Sequence, residues 1–515
     1  MVDRRGFLTG AVGAGLVLAA PAIVRAGAER PQLKYGTASG SISHNGAAIW
    51  TRADRPVQMH VDIARDPDFK QVQKFSGTYG LAEGDFNVKT RLSGLLENSQ
   101  HFYRVRCESL ENPGVLSAPT IGQFKTAPKE TLTDIRFCWS GDTAGQGFGI
   151  DTKYGGMLTY KSMLDKKPDF LVHSGDQIYA DGPLAETKDI GGGRVWTNLL
   201  TPGKAKVAET TQEFRENYYY NFLDEHVRAF HANVPVFNQW DDHEVLNNWY
   251  PGEMLHEDDR YTEKSVSLLA ARSRRAMFEC TPILSPVSGT RQIYRQQSYG
   301  PLLDLFFLDM RSYRGPNSRN LQPNKGPETA FMGDTQVAWL KAALKASNAT
   351  WKIICSDMPI GLIVTEWQSD IAENGANGDG PPLGREHEMA ALLSSIAEED
   401  IKNVHFITSD VHYCASHYYN PAKAQFKNFK PFWEFVSGPL HASTFGPNQL
   451  DNTFGPEVKF TGIPADMPPG LSPADGFQFF GVMDIDSVTK VLRVSHHNRV
   501  GDEIWSQELR PEGEI

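Results

Sequence analysis

Between residues 34 and 126 hydrophobic and polar positions alternate in short runs separated by turn residues. The clearest are Ala47-Ala48-Ile49-Trp50-Thr51, Val57-Gln58-Met59-His60-Val61-Asp62-Ile63 and His101-Phe102-Tyr103-Arg104-Val105-Arg106-Cys107. A period of two puts neighbouring side chains on opposite faces, so these runs predict β-strands with one buried face. Together they predict a small antiparallel sandwich over residues 33–127, with Trp50 in its core and Tyr103 at a tyrosine-corner position. Thr126-Ala127-Pro128-Lys129-Glu130 reads as a linker.

Beyond residue 133 the texture changes to apolar runs alternating with amphipathic stretches, the pattern of a layered α/β domain over 133–510. Strands are expected at 135–139, 170–173, 235–239, 303–308, 351–355 and 404–408, with helices at 154–166, 209–231, 334–346 and 387–399. Further strands at 432–436, 477–485 and 491–495 would complete a two-sheet core. Stretches 181–205, 370–385 and 440–475 are rich in glycine and proline and read as long loops, which in a compact domain are usually functional or mobile.

The amino terminus adds a location. Arg4-Arg5-Gly6-Phe7-Leu8 precedes a Gly/Ala/Val/Leu run and small residues near Val24-Arg25-Ala26. This resembles a twin-arginine export signal over residues 1–28, removed to leave a periplasmic or secreted chain without a membrane span. The twin-arginine machinery would then be a transient partner. A formal charge of −11 offers no footprint for nucleic acid, and sequence-specific nucleic-acid binding is not expected. The five cysteines are widely spaced and form no zinc-type doublet, so they read as buried thiols.

Four polar clusters each follow directly on an apolar run: Ser140-Gly141-Asp142, Ser174-Gly175-Asp176-Gln177-Ile178-Tyr179, Asp241-Asp242-His243-Glu244 and Ser409-Asp410-Val411-His412. In open α/β sheets ligands bind outside the carboxyl ends of strands, where four such clusters can converge. Asp, His and Tyr supply oxygen and nitrogen donors for hard or borderline cations. One Gly-Asp pair is only a turn; the ordered set is the signal.

In that order, the clusters resemble the signature of the calcineurin-like metallophosphoesterase superfamily, and more narrowly its alkaline phosphatase D (PhoD-like) family. Phe307-Leu308-Asp309-Met310-Arg311-Ser312-Tyr313-Arg314 and Gln336-Val337-Ala338-Trp339-Leu340 fit that likeness, as does a fibronectin III or immunoglobulin-like sandwich ahead of the catalytic domain. The resemblance implies a two-sheet α/β sandwich in which Asp176 bridges two metal positions and Tyr179 binds one as phenolate. Asp242 and Asp410 stand where the wider superfamily has Asn and His, and His412 is a nitrogen ligand or close partner. Where the family commonly has Ser-Cys-Gln this chain has Ser140-Gly141-Asp142, so Asp142 is the expected substitute for the cysteine. Asp357, before Pro359, stands where a further ligand often lies, with a local turn role as the alternative. His243 is expected to protonate a leaving alkoxide. Arg311 and Arg314 are candidate phosphate contacts, with salt bridging the alternative, and His173 reads as a core histidine.

Two or more cations are therefore expected. The oxygen-rich ligand set favours calcium or iron, with zinc or manganese as alternatives. The implied chemistry is in-line hydrolysis of small phosphate monoesters or diesters by a hydroxide held between metals. A phospholipase D-type phosphodiesterase on the same scaffold is the near rival. A non-catalytic exported binding protein is the remote one.

Overall fold

The computed structural model describes residues 29–285, 291–366 and 369–513, so the export signal expected at 1–28 lies outside the described residues. Two large sheets form its centre. One has nine strands in the order Glu503–Leu509, Leu492–Asn498, Phe479–Ile485, Ile135–Ser140, Phe170–His173, Val236–Asn238, Thr37–Gly40, Ala47–Arg52 and Asn87–Leu92. The other has seven, Arg295–Ser298, Leu303–Phe307, Trp351–Cys355, Val404–Thr408, Phe432–Val436, Ala415–Tyr419 and Pro456–Thr461.

The strands that lead into the polar clusters are apolar on both faces because both faces are covered. Phe137, Trp139, Phe170 and Val172 pack between the sheets against Leu305, Phe307, Ile353, Ile407 and Phe435. On the reverse of the first sheet Cys138, Leu171 and Val236 meet the helical layer at Tyr160, Met163 and Phe230. On the reverse of the second, Phe306, Ile354 and Phe406 meet Leu340, Leu344, Leu392 and Leu393 of helices Asp334–Ala346 and Glu386–Glu398. The molecule is thus a two-sheet α/β sandwich with helices outside.

The amino-terminal region is an all-β, immunoglobulin-like sandwich. A four-stranded sheet, Gln73–Gly80, Val57–Ala64, Gln100–Ser109 and Thr120–Lys125, covers strands Thr37–Gly40, Ala47–Arg52 and Asn87–Leu92. Those three strands also extend the nine-stranded sheet, because Gly40 pairs in parallel with Val236. An added Cβ at Gly40 would lie 2.6 Å from the Val236 carbonyl oxygen, so this seam requires glycine. The shared sheet relocates Trp50. Rather than filling the sandwich, it points to the helical side, where its Nε1 donates to the Glu279 carbonyl at 2.9 Å and its ring lies 5.1 Å from Phe222. Tyr103 likewise closes no corner of its own sheet. Its hydroxyl donates to the Ala232 carbonyl at 3.0 Å, tying the sandwich to helix Glu225–Asn233.

The helix expected at 209–231 is two helices, Thr211–Asn221 and Glu225–Asn233. Asp224 divides them by accepting the backbone N–H groups of His226 and Val227, an N-cap role that an aspartate fills better than a helix interior. Helix Val266–Cys280, capped by Ser265, is an element that the sequence pattern did not bring out. Short strands Thr187–Asp189 and Val195–Thr197 lie in the first expected loop, and Pro456–Thr461 in the last. All five cysteines are free and buried. Among the described residues no helix is long and apolar enough to cross a membrane.

Tyr103→Phe removes the hydroxyl that satisfies Ala232 across the sandwich–helix junction. The expected loss is about 1 kcal/mol in urea unfolding; an unchanged midpoint and slope would show that the contact contributes nothing.

Candidate metal centre

Parallel pairing carries the four clusters to one end of the molecule. Ile135–Ser140, Phe170–His173 and Val236–Asn238 run side by side, as do Leu303–Phe307, Trp351–Cys355, Val404–Thr408 and Phe432–Val436. Each chain turns sharply after its strand. Asp142, Asp176, Asp410 and His412 all adopt left-handed backbone, with φ of 65°, 51°, 70° and 61°. That region costs an L-residue about 1–2 kcal/mol, and Asp and His tolerate it better than bulkier side chains. Hydrogen bonds hold the turns: Thr143 N–H donates to the Asp176 carbonyl at 2.8 Å and His441 N–H to the Asp142 carbonyl at 2.9 Å. Gly438 closes over this corner, where a Cβ would lie 2.2 Å from Asp142 Oδ2.

Donor atoms of Asp142, Asp176 and His412 lie within 4.8 Å of one another, as do those of Asp176, Asp242 and His243, and those of Asp241, Asp242 and Asp410. Asp176 belongs to two groups and so does Asp242. The Tyr179 hydroxyl is 3.0 Å from His412 Nε2. His412 Nδ1 is 2.5 Å from the Ser443 carbonyl, which can only accept, so Nδ1 carries the proton and Nε2 turns its lone pair to the site. Asp357 is fully buried with both oxygens lacking a hydrogen-bond partner, and it stands outside the three groups.

Arg311 is fully enclosed. Its Nε donates to Asp241 Oδ1 at 2.6 Å, it pairs with Glu373, and its second terminal nitrogen is 3.9 Å from both Asp242 Oδ1 and Asp410 Oδ1. Arg314 is also buried on Glu373, so neither arginine is a surface salt bridge. Glu244 ties two loops together, accepting the backbone N–H groups of Asp176, Gln177 and Asp241 at 3.1, 2.7 and 2.8 Å. His173 is a core histidine, 3.2 Å from Thr143 Oγ1 and held to about 3 by burial.

The family model for the PhoD-like phosphatase matches residues 137–496, and that for the PhoD-like phosphatase N-terminal domain matches residues 18–128. The chain belongs to the PhoD-like phosphatase family. It is similar to alkaline phosphatase D of Bacillus subtilis (strain 168), with 25% identity over 403 residues. The alignment covers 73% of this chain and 64% of the relative, so the chain spans less than two thirds of that protein's length. A solved structure of PhoD has the same fold, with a TM-score of 0.69 and 20% identity over 94% of this chain and 90% of that one. The purple acid phosphatase PPD1 from yellow lupin (Lupinus luteus) seeds shares it more distantly, with a TM-score of 0.55 and 12% identity over 93% and 74% of the two chains.

Within this PhoD-like fold the electrostatics test whether cations fit. Burial, then neighbouring carboxylates, push the acids of Asp142 and Asp176 well above the ordinary range; Asp410 is raised in the same way. Neither oxygen of Asp142 has a hydrogen-bond partner. Buried unpaired carboxylates either take up protons or bind cations, and a set that also offers imidazole and phenol donors suits multivalent ions. Asp242 is the exception: burial opposes its charge, but His243, Arg311 and the Asn248 N–H hold it down at about 2. His243 is pushed up to about 9, because Asp181 at 2.8 Å from its Nδ1 and Asp242 outweigh burial. Burial lowers His412 to about 4 and, with Asp176, raises Tyr179 well above an ordinary phenol. A cleft of about 340 Å³ opens over Asp176, Asp242, His243, Asp410 and His412.

Asp181 and Glu373 are partners that sequence reasoning missed. Asp181 grips His243 and the Asn247 N–H, yet it is one more loop aspartate five positions after Asp176. Glu373 sits in a stretch legible only as loop. Asp241 and Glu244 lay inside a quoted cluster without a role; their burial on Arg311 and on three N–H groups assigns one.

A carboxyl whose folded pKa lies above its unfolded value contributes stability that is complete below the unfolded value and lost as pH rises toward the folded one. His243, also raised, has the same sign up to about pH 9. Chelator-treated protein is therefore expected to melt at lower temperature as pH rises from about 5 to about 8, with added cations restoring more at the higher pH. Scanning calorimetry checks this, and equal restoration at both pH values would contradict the electrostatic assignment.

Proposed function

We propose that this protein is an exported phosphoesterase that hydrolyses small phosphate monoesters or diesters with two or more bound cations. The observation that carries the proposal is the convergence of Asp142, Asp176 and His412 and of Asp241, Asp242 and Asp410 at the floor of one cleft, with Asp176 and Asp242 close to each other beside His243. Asp142, Asp176, Tyr179, Asp242, Asp410 and His412 would hold the ions, with the buried, unpartnered Asp357 a further candidate ligand. Their oxygen-rich chemistry favours calcium or iron over zinc or manganese. When bound, such cations neutralise phosphoryl oxygens and lower the pKa of water, which are the two needs of in-line hydrolysis.

The protein's own groups supply the rest. His243 lines the cleft with Nδ1 held by Asp181, so its Nε2 can give a proton to the departing oxygen. Arg311 lies behind the carboxylates and fixes Asp241 and the approach of Asp242 and Asp410, a positioning role instead of a phosphate contact. We place catalysis in residues 133–510, supported by the sandwich at 33–127, and export in the twin-arginine segment at 1–28.

Asp176→Asn is expected to lower kcat/KM on 4-nitrophenyl phosphate and bis(4-nitrophenyl) phosphate by roughly 10³-fold or more and to reduce metal content. Near-normal hydrolysis with full metal content would end the proposal. His243→Ala should cost roughly 10²–10⁴-fold with alkyl leaving groups and much less with 4-nitrophenolate, which departs without a proton. An equal loss with both classes would remove the acid role.

A further inference from the structure

The wall of the cleft has a chemistry of its own, distinct from its acidic floor. Asn247, Asn248, Asn448 and Thr365 contribute amide and hydroxyl groups to it, and Val364, Val411 and Phe445 contribute apolar surface. The two loops that form most of it are paired: Ile363 N–H donates to the Gln449 carbonyl at 2.8 Å, and Asn448 Nδ2 to the Ile363 carbonyl at 3.1 Å. Asn248 is pinned by its N–H to Asp242 Oδ2 at 2.6 Å, and the Phe445 ring lies 5.2 Å from that of His412. Such a wall is formed before substrate arrives, which spares the cost of ordering it on binding.

Among the described residues that line the cleft there is no lysine or arginine. The cationic group on the lining, His243, is held on Asp181 beside the acidic floor, and basic side chains of neighbouring loops are committed elsewhere. Lys188 donates to the Gln146 carbonyl at 2.6 Å and Arg260 pairs with Asp258 at 2.8 Å. Arg311 and Arg314 are enclosed on Asp241 and Glu373. Cations on the floor would meet the phosphoryl oxygens, but a second anionic group a few ångströms farther out would lie against amide and apolar surface. Losing water there without gaining a partner is costly, and the formal charge of −11 adds long-range repulsion. Neutral hydroxyl or aryl groups suit the same wall, through hydrogen bonds to its amides and contact with Phe445 and the valines.

From this we infer that the site selects phosphate esters whose alcohol portion is uncharged near the phosphorus, and rejects substrates carrying a further anionic group there, such as polyphosphates and bisphosphates. The inference rests on the phosphoesterase assignment of the same cleft. Matched probes test it: phenyl 4-nitrophenyl phosphate against 4-carboxyphenyl 4-nitrophenyl phosphate, and phenyl phosphate against 4-carboxyphenyl phosphate, with metal-loaded protein. Each pair differs chiefly by one added negative charge, held across a single ring from the phosphate. The carboxylated member is expected to show kcat/KM lower by about tenfold or more. Thr365→Lys, at an exposed position on the lip, should raise the charged-to-neutral ratio by roughly fivefold, and Asn247→Lys offers a second exposed position should the first variant fold poorly. A wild-type ratio within about twofold of unity, or a ratio that neither lysine moves, would overturn the inference. Failure to turn over any probe would instead strike at the phosphoesterase assignment, and the selectivity would fall with it.

Discussion

Like charges crowded together out of water dominate this structure. Asp142, Asp176, Asp241, Asp242 and Asp410 are gathered at one cleft floor, where Arg311 and His243 are the cationic groups set against them among the described residues. The desolvation cost of an ionised carboxylate amounts to several kcal/mol even after relaxation, so the arrangement is tolerable only with protons or cations present. Much of the surrounding architecture follows from holding such groups where they repel. Glu244 spends three hydrogen bonds on the two loops that bear Asp176 and Asp241, and Arg311 occupies the space behind the acids with no access to solvent.

The scaffold makes this placement affordable. Strands buried on both faces give rigid ends, and the left-handed turns at Asp142, Asp176, Asp410 and His412 are imposed by the packing around them. Local backbone preference alone would not hold four residues in that region. Tertiary hydrogen bonds hold Asp142 and Asp176, with the His441 and Thr143 N–H groups donating and the Gly175 carbonyl accepting, while His412 is held through its Nδ1 on the Ser443 carbonyl, so donor atoms from distant segments meet within a few ångströms.

Much of this was legible in the sequence because the parallel strands read as unbroken apolar runs: 170–173, 351–355 and 404–408 coincide with observed strands, and the polar clusters were conspicuous beside them. Helix 266–280 was harder, since Arg272, Ser273, Arg274 and Arg275 interrupt its apolar stripe where it packs near the site. Trp50 was assigned to the wrong face because alternation tells which residues share a side of a strand, not which side meets which layer. Asp181 and Glu373 were invisible for a different reason: each acts through two specific neighbours brought together only by the fold, and loop carboxylates carry no periodicity to mark them. Arg311 was singled out, but whether a guanidinium faces substrate or stands behind ligands depends on depth, which residue type does not encode.

The nine-stranded sheet has one further consequence. Its continuity through Gly40 and Val236 means that the amino-terminal module is not a bead on a string. Strand Val236–Asn238, which leads straight into Asp241 and Asp242, uses the module as its lateral neighbour. Trimming the chain at the apparent linker near residue 128 would turn an interior strand into a raw border, open to association with other chains. Grafting the α/β half of this chain would therefore have to carry the seam along with the pocket, because inheriting that half without its β-rich companion leaves the acid-bearing loop without its flank.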